Sequence, residues 1–428
     1  MQGERGSTLS DQKRPLDQER IGNESLMNLR KPDGGCIFSL GIGLWVIYEH
    51  FFTTDIPAAI GHTMKLHILH CTFLLAINCI CEKLGICSMP KFVRFLLQSL
   101  PIKKDPKLMV KNLCFGTAPV RLYQPKTTSA SLQKGIIFCH GGGMVFGSLD
   151  DYNSLCCYLS KDTDSVVLSD GYRLAPEHRR PSASNDCMAA SIHFLRNLET
   201  YGVDPFHVIL CGDSCGGTLA TSACQSLMTQ PGLPKIRAQI LIYPYLQGFN
   251  FQLPSYQQNK NVPFLNQNLV ISCIFQYFDI NPSWKTAILN GAHVPPEMRV
   301  KSEERMNVHN IPKRFKEKGY QHMSPGPFNE DAYQENKQIL WTMNSPLIAD
   351  DDIIAQLPET LLVSCELDIL RDDALLYKKR LEDQGVPVSW HHIEDGFHGV
   401  LITFDNKYFC FPCSLKNLDI IVHFIKNL

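Results

Sequence analysis

The chain of 428 residues carries almost no net charge: 41 Lys and Arg stand against 42 Asp and Glu, giving −1 at pH 7. It has no long basic stretch and no interleaving of aromatic with basic residues, which excludes a nucleic acid or other polyanion as partner. No internal repeat is visible, so solenoids and propellers are excluded as well. Among 17 cysteines, Cys410 and Cys413 have metal-pair spacing, and Cys79 and Cys81 lie closer still. No second pair in a suitable context completes either set, so neither a metal nor another cofactor is implied. Many other thiols sit in apolar runs (Cys139, Cys211, Cys273) and read as small buried hydrophobes. An apolar run of the about 20 residues that a membrane span needs is also missing. Cys36 to Tyr48 is uncharged and mostly apolar, but extending it to Phe52 takes in Glu49 and His50.

What the chain does have is two short glycine-rich segments, each directly after a run that reads as a buried strand. His140-Gly141-Gly142-Gly143 follows Gly135 to Cys139, and Gly212-Asp213-Ser214-Cys215-Gly216-Gly217 follows Val208 to Cys211. A Gly-x-Ser-x-Gly arises by chance in about one chain in ten of this length, whereas His followed by three Gly is far rarer. The serine motif also opens a run of small residues, Thr218 to Ala223, which supplies the strand–turn–helix setting of a nucleophile elbow. Gly212 and Gly216 flank Ser214 because side chains there would crowd a strained turn. Nucleophilic acyl transfer needs an activated hydroxyl and N–H donors for the oxyanion at one point. Ser214 fits the first role. The loop His140, Gly141, Gly142 and Gly143, with Cys215, fits the oxyanion hole, the N–H groups of Gly142, Gly143 and Cys215 facing the charge.

The partners follow in the order Ser, acid, His. Asp368 lies just past the strand-like run Glu359 to Cys365, where ligand crevices of open sheets occur. His398, between Gly396 and Gly399, follows the strand-like run Val386 to Ile393. The expected roles are proton acceptor for His398 and orienting carboxylate for Asp368. Asp372 and Asp373 are rivals for the acid and candidate caps of a helix Ala374 to Leu381. His391 and His392 are rivals for the base, with structural or surface roles the plainer reading. His140 reads as fixing its loop by a local hydrogen bond, and Asp213 as stabilising a loop or tuning charge.

Around these motifs the chain divides into regions. Residues 1–35 are polar and read as a disordered extension holding the only glycosylation sequon, Asn23-Glu24-Ser25. On length alone 36–52 is a core helix or interfacial segment as readily as a span. Arg30 and Lys31 before the run Cys36 to Tyr48, with Glu49 and Asp55 after that run, suit a cytosolic N-terminus. Residues 53–107 read as an N-terminal helical cap, including the apolar stretch Ile68 to Cys81. From 108 to 428 strands alternate with helices, which predicts a mostly parallel sheet with helices on both faces. The rhythm breaks between Tyr245 and Trp341, and the insertion at about 246–341 reads as a lid over the strand ends. Phe264, Phe275, Tyr277 and Phe278 are either pocket lining or helix core, and 301–318 is a charged solvated face.

Tyr172-Arg173-Leu174-Ala175-Pro176-Glu177-His178, taken with both glycine segments and Asp395 to Gly399, resembles the hormone-sensitive-lipase group of alpha/beta hydrolases. Within that group the chain is similar to the arylacetamide deacetylase-like proteins over about residues 40–428, including the stretch Tyr48 to Ile60 with Phe51-Phe52-Thr53-Thr54-Asp55-Ile56-Pro57. The resemblance implies an alpha/beta-hydrolase fold and an esterase or deacetylase acting on small-molecule esters or amides. It also implies a single type II membrane anchor with the catalytic domain in the endoplasmic reticulum lumen. The chain departs from the pattern in three places. Arg179-Arg180 stands where relatives tend to be apolar, and Cys215 stands where many have Ala. Val145 stands where some relatives have a Cys bridged to one like Cys365, so that staple is not expected. The rival readings, a ligand-binding homologue without chemistry or a peptidase, are disfavoured by the complete Ser214, Asp368, His398 set and by the glycine loop.

Overall fold

The computed structural model describes residues 48, 56, 62–75, 89–98, 102–126, 131–317 and 319–428. The extension 1–35 and, Tyr48 apart, the apolar segment 36–52 lie outside the described residues. Among the described residues no helix is long and apolar enough to cross a membrane.

The described strands are β1 (Leu108–Phe115), β2 (Ala118–Pro125), β3 (Gln133–Cys139), β4 (Ser165–Asp170), β5 (Val203–Asp213), β6 (Ala238–Ile242), β7 (Glu359–Leu367) and β8 (Val388–Phe397). They form one sheet in the order β1-β2-β4-β3-β5-β6-β7-β8. Pairings from β4 to β8 are all parallel, while β1–β2 and β2–β4 are antiparallel. The strand β1 has no counterpart in the sequence reading. Only its ends, Leu108 and Phe115, are buried, so it lacks the apolar run that marked the central strands.

Both faces of the parallel part are covered, which is why those strands are apolar without alternation. Ile137, Leu210, Leu241 and Leu362 enter one core, with the helices Ser182–Arg196, Cys215–Leu227 and Arg371–Asp383. Their neighbours Ile136, Ile209, Ile240 and Leu361 enter the other core, with the helices Asn153–Thr163 and Pro412–Asn427. The insertion is helical, with pieces at Pro254–Gln258, Gln267–Phe278, Lys285–Leu289, Pro296–Arg305 and Glu330–Asn336. Phe275, Tyr277 and Phe278 are buried in the first core, so the core reading of these three holds over the pocket reading.

This topology gathers the motifs. The glycine loop leaves β3, Ser214 leaves β5, Asp368 leaves β7 and His398 leaves β8, each at the carboxyl end of its strand. That edge is where ligand crevices lie in open alpha/beta sheets.

Candidate active site

Ser214 joins β5 to the helix Cys215–Leu227 with φ 55° and ψ −125°. A side chain at positive φ is strained and persists only where its surroundings over-determine it. Here its N–H donates to Ile242 O at 2.9 Å, and its carbonyl accepts from Gly217 N at 2.9 Å and Tyr245 N at 3.2 Å. The flanking glycine is a packing requirement: a Cβ on Gly216 would lie 2.1 Å from the carbonyl oxygen of Cys139. Any other residue would push this helix off the end of β3.

Ser214 Oγ lies 2.8 Å from His398 Nε2, and His398 Nδ1 lies 3.0 Å from Asp368 Oδ2. The second oxygen of Asp368 accepts the N–H of Leu370 at 2.8 Å, and its main-chain carbonyl accepts Asn259 Nδ2 at 2.9 Å. Asp368 is fully enclosed, while His398 and Ser214 keep 6% and 8% of their surface exposed. A carboxylate on Nδ1 assigns the proton to that nitrogen and leaves Nε2 to accept from the hydroxyl. The arrangement can therefore raise the nucleophilicity of Ser214 and hold the imidazolium that results.

The rivals have other work. Asp373 accepts Leu246 N at 2.9 Å and Gln247 Nε2 at 3.1 Å, and Asp372 accepts Ser255 N at 2.6 Å. Both tie the root of the insertion to the helix Arg371–Asp383 rather than capping that helix. His391 is exposed. His392 is consumed between Ser364 Oγ and Glu366 Oε2, each at 3.0 Å. That Ser364–His392–Glu366 chain has the composition of a triad, but Ser364 has no exposed surface for a substrate to reach.

In the glycine loop, φ is +109° at Gly142, where a Cβ would lie 2.4 Å from Phe146 O. Among the described residues no backbone carbonyl takes up the N–H of Gly142 or of Gly143. Gly141 differs: its N–H donates to Asp213 Oδ1 at 2.7 Å, so it anchors the loop instead of facing a ligand. The other oxygen of Asp213 accepts Tyr152 Oη–H at 3.0 Å. Burial pushes the Asp213 carboxyl up to about 6, against the pull of these donors. Of the two readings of Asp213, loop stabilisation is the one with contacts. His140 is buried between the rings of Tyr172 and Tyr152, with centroids at 4.2 and 5.3 Å. Its Nδ1 lies 2.8 Å from Gly141 O, and burial lowers its pKa to about 4, so the ring is neutral. The Cys215 thiol accepts Met144 N at 3.2 Å.

The Tyr172 to His178 signature holds this loop from below. Tyr172 Oη–H donates to His140 O at 2.7 Å, and Arg173 pairs with buried Asp186 at 2.8 Å. From the N-terminal helix Met89–Gln98, Arg94 donates to Val145 O at 2.8 Å and to Glu177 at 2.9 Å. The unusual Arg179 and Arg180 reach the insertion, Arg179 pairing with Asp279 and Arg180 stacking on Trp341 at 4.1 Å. The insertion closes on the site from above. A Cβ on Gly143 would meet Cys273 Sγ at 2.6 Å, and Phe264 stacks on Phe397 at 5.4 Å, next to His398. His70, on the helix Thr63–Leu75, contacts Phe264 in turn, so this part of the expected cap reaches the insertion. Cys365 is a free thiol, in line with Val145 offering no sulfur for the staple of some relatives. Tyr152 and Arg94 escaped the sequence reading, because neither sits at a fixed spacing from the loop it supports.

A family model for the alpha/beta hydrolase fold matches residues 136–296 and 313–402. Arylacetamide deacetylase-like 4 from Homo sapiens is 57% identical over 394 residues, covering 92% of this chain and 97% of that protein. Arylacetamide deacetylase from Bos taurus is 39% identical over 323 residues, covering 73% of this chain and 79% of that protein. Among solved structures, carboxyl esterase 2 from Tuber melanosporum matches with a TM-score of 0.58 at 22% identity, covering 77% of this chain and 89% of that one. At that identity the likeness speaks to the fold alone.

Proposed function

The chain belongs to the arylacetamide deacetylase family of alpha/beta hydrolases, and from that premise we propose that it is a membrane-anchored serine hydrolase cleaving carboxylic esters or acetyl amides of apolar substrates. The observation that carries the proposal is the unbroken Ser214–His398–Asp368 hydrogen-bond chain beside a loop in which no backbone carbonyl takes up the N–H of Gly142 or of Gly143. In this reading Ser214 Oγ attacks the substrate carbonyl while His398 Nε2 takes its proton. Asp368 steadies the imidazolium, and the N–H groups of Gly142, Gly143 and Cys215 receive the oxyanion. His398 then protonates the leaving alcohol or amine. Water repeats the sequence on the acyl-Ser214 intermediate to release the acid. Apolar substrates are favoured by what borders the site, namely Met144, Cys273 and Phe264 with its stacked partner Phe397.

The anchor in this reading is 36–52, with the N-terminus cytosolic and the catalytic part lumenal. Its support is the placement of Arg30 and Lys31 before the uncharged run Cys36 to Tyr48 and Glu49 and Asp55 after that run. One experiment tests both halves. Carbonate-washed membranes from cells expressing the full chain are labelled with a fluorophosphonate probe and assayed on p-nitrophenyl esters from acetate to long acyl chains. Wild type should label in the membrane fraction, and Ser214→Ala should lose the label and about 10^4-fold or more of its activity. Equal labelling of the variant overturns the nucleophile, and release of labelled wild type by carbonate overturns the anchor.

A further inference from the structure

Cys139, the last residue of β3, and Cys187, in the helix Ser182–Arg196, bring their sulfurs to 2.9 Å. That is well inside the separation of two non-bonded sulfur atoms. Both residues are enclosed, at 0% and 1% exposure. The third member of the cluster is Asp170, the last residue of β4, whose donor atom lies within 4.8 Å of both sulfurs. Its carboxyl is buried beside the Cys187 thiol, and Ser191 Oγ lies against the same thiol.

Two thiols and a carboxyl can serve a cation or a covalent bond, and the geometry separates these. Thiolates about 2.3 Å from a tetrahedral zinc stand about 3.8 Å apart, so a metal would have to push this pair outward. Two thiolates and a carboxylate around a dication would also leave one negative charge in the core. Arg173 is already committed, bidentate on Asp186 at 2.8 Å. A disulfide needs the sulfurs to close to about 2.05 Å, a movement of less than about 1 Å. It leaves no charge behind, and burial, which pushes the Asp170 carboxyl up to about 8, keeps that neighbour neutral too.

We infer that Cys139 and Cys187 form a disulfide. It staples the end of β3, immediately before His140, to the helix that carries Asp186. Each thiol loses one proton and one electron as the S–S bond forms. The two electrons and two protons pass by thiol–disulfide exchange to an oxidant of the disulfide class, which becomes its dithiol. The bond closes a 48-residue separation in sequence and fixes the carbonyl of Cys139 against which Gly216 packs. The inference goes beyond the hydrolase reading and does not depend on it.

The full chain is expressed in a host whose cytosol forms disulfides, so the result does not turn on where the protein resides in its own cell. The protein is denatured, alkylated without reductant, digested and read by mass spectrometry. A peptide pair joined at Cys139 and Cys187, released by reductant, is the expected result. Alkyl groups on both residues overturn the inference, as does a bond from either one to a different cysteine or a stoichiometric metal held by the reduced pair. The folded wild type should also lose about 2–5 °C of Tm on reduction. The Cys139→Ala/Cys187→Ala protein should show no reductant dependence, and equal sensitivity of the two proteins counts against the staple.

Discussion

At the scale of the residue, Asp213 does what a motif cannot reveal. The sequence shows it beside Ser214, yet its side chain serves the other glycine segment, holding Gly141 N–H and Tyr152 Oη–H on separate oxygens. Asparagine offers one acceptor oxygen where two donors converge. Asp213→Asn should therefore lower kcat by about 10–100-fold with a small change in KM, since a lost buried hydrogen bond costs about 1–3 kcal/mol. Its pH signature has a definite sign. The folded carboxyl sits at about 6, above its unfolded value of 3.8. Between those values the folded state binds more protons than the unfolded one, so this group makes stability fall as pH rises through the window and level off above it. The wild-type Tm should fall relative to Asp213→Asn from about pH 4 to about pH 6, and parallel curves would refute the assignment.

At the scale of the element, what could be read from sequence followed from locality. The Ser214 turn, the His140 loop and the strands before them show themselves because their cause lies in adjacent residues: an apolar strand, then glycine where a Cβ has no room. β1 stayed hidden because an edge strand with exposed Met109 to Asn112 carries no burial pattern. Asp372 and Asp373 were legible as helix-cap candidates, yet they bind Ser255 and Leu246, more than 110 residues away in sequence. No spacing rule reaches that far. Asp373→Ala would leave the N–H of Leu246 without its acceptor in the core and take one of three acceptors from Gln247 Nε2. It should cost about 2–4 kcal/mol, seen as a lower denaturation midpoint at unchanged m-value, whereas Lys379→Ala on the outer face of the same helix should cost under about 1 kcal/mol.

At the scale of the whole molecule, the near balance of 41 cations and 42 anions conceals carboxyls that are not charged at neutral pH. Asp170 is the clearest, its carboxyl pushed up to about 8 by burial. The folded state keeps this proton over a range in which the unfolded chain has lost it. Its contribution therefore weakens stability progressively as pH rises from about 4 to about 8. Asp170→Asn should remove that slope, gaining Tm on the wild type from about pH 4 to about pH 8 and holding the gain above it. A constant difference across the range would show that Asp170 is ionised throughout. The roots of the insertion have a further consequence for motion. Leu246, Gln247, Ser255 and Asn259 are bound to the segment Asp368–Asp373, which also carries the partner of His398. Phe315 is held by the same segment through Arg371. A rearrangement of the insertion that spared these bonds would leave the frame that holds Asp368 in place.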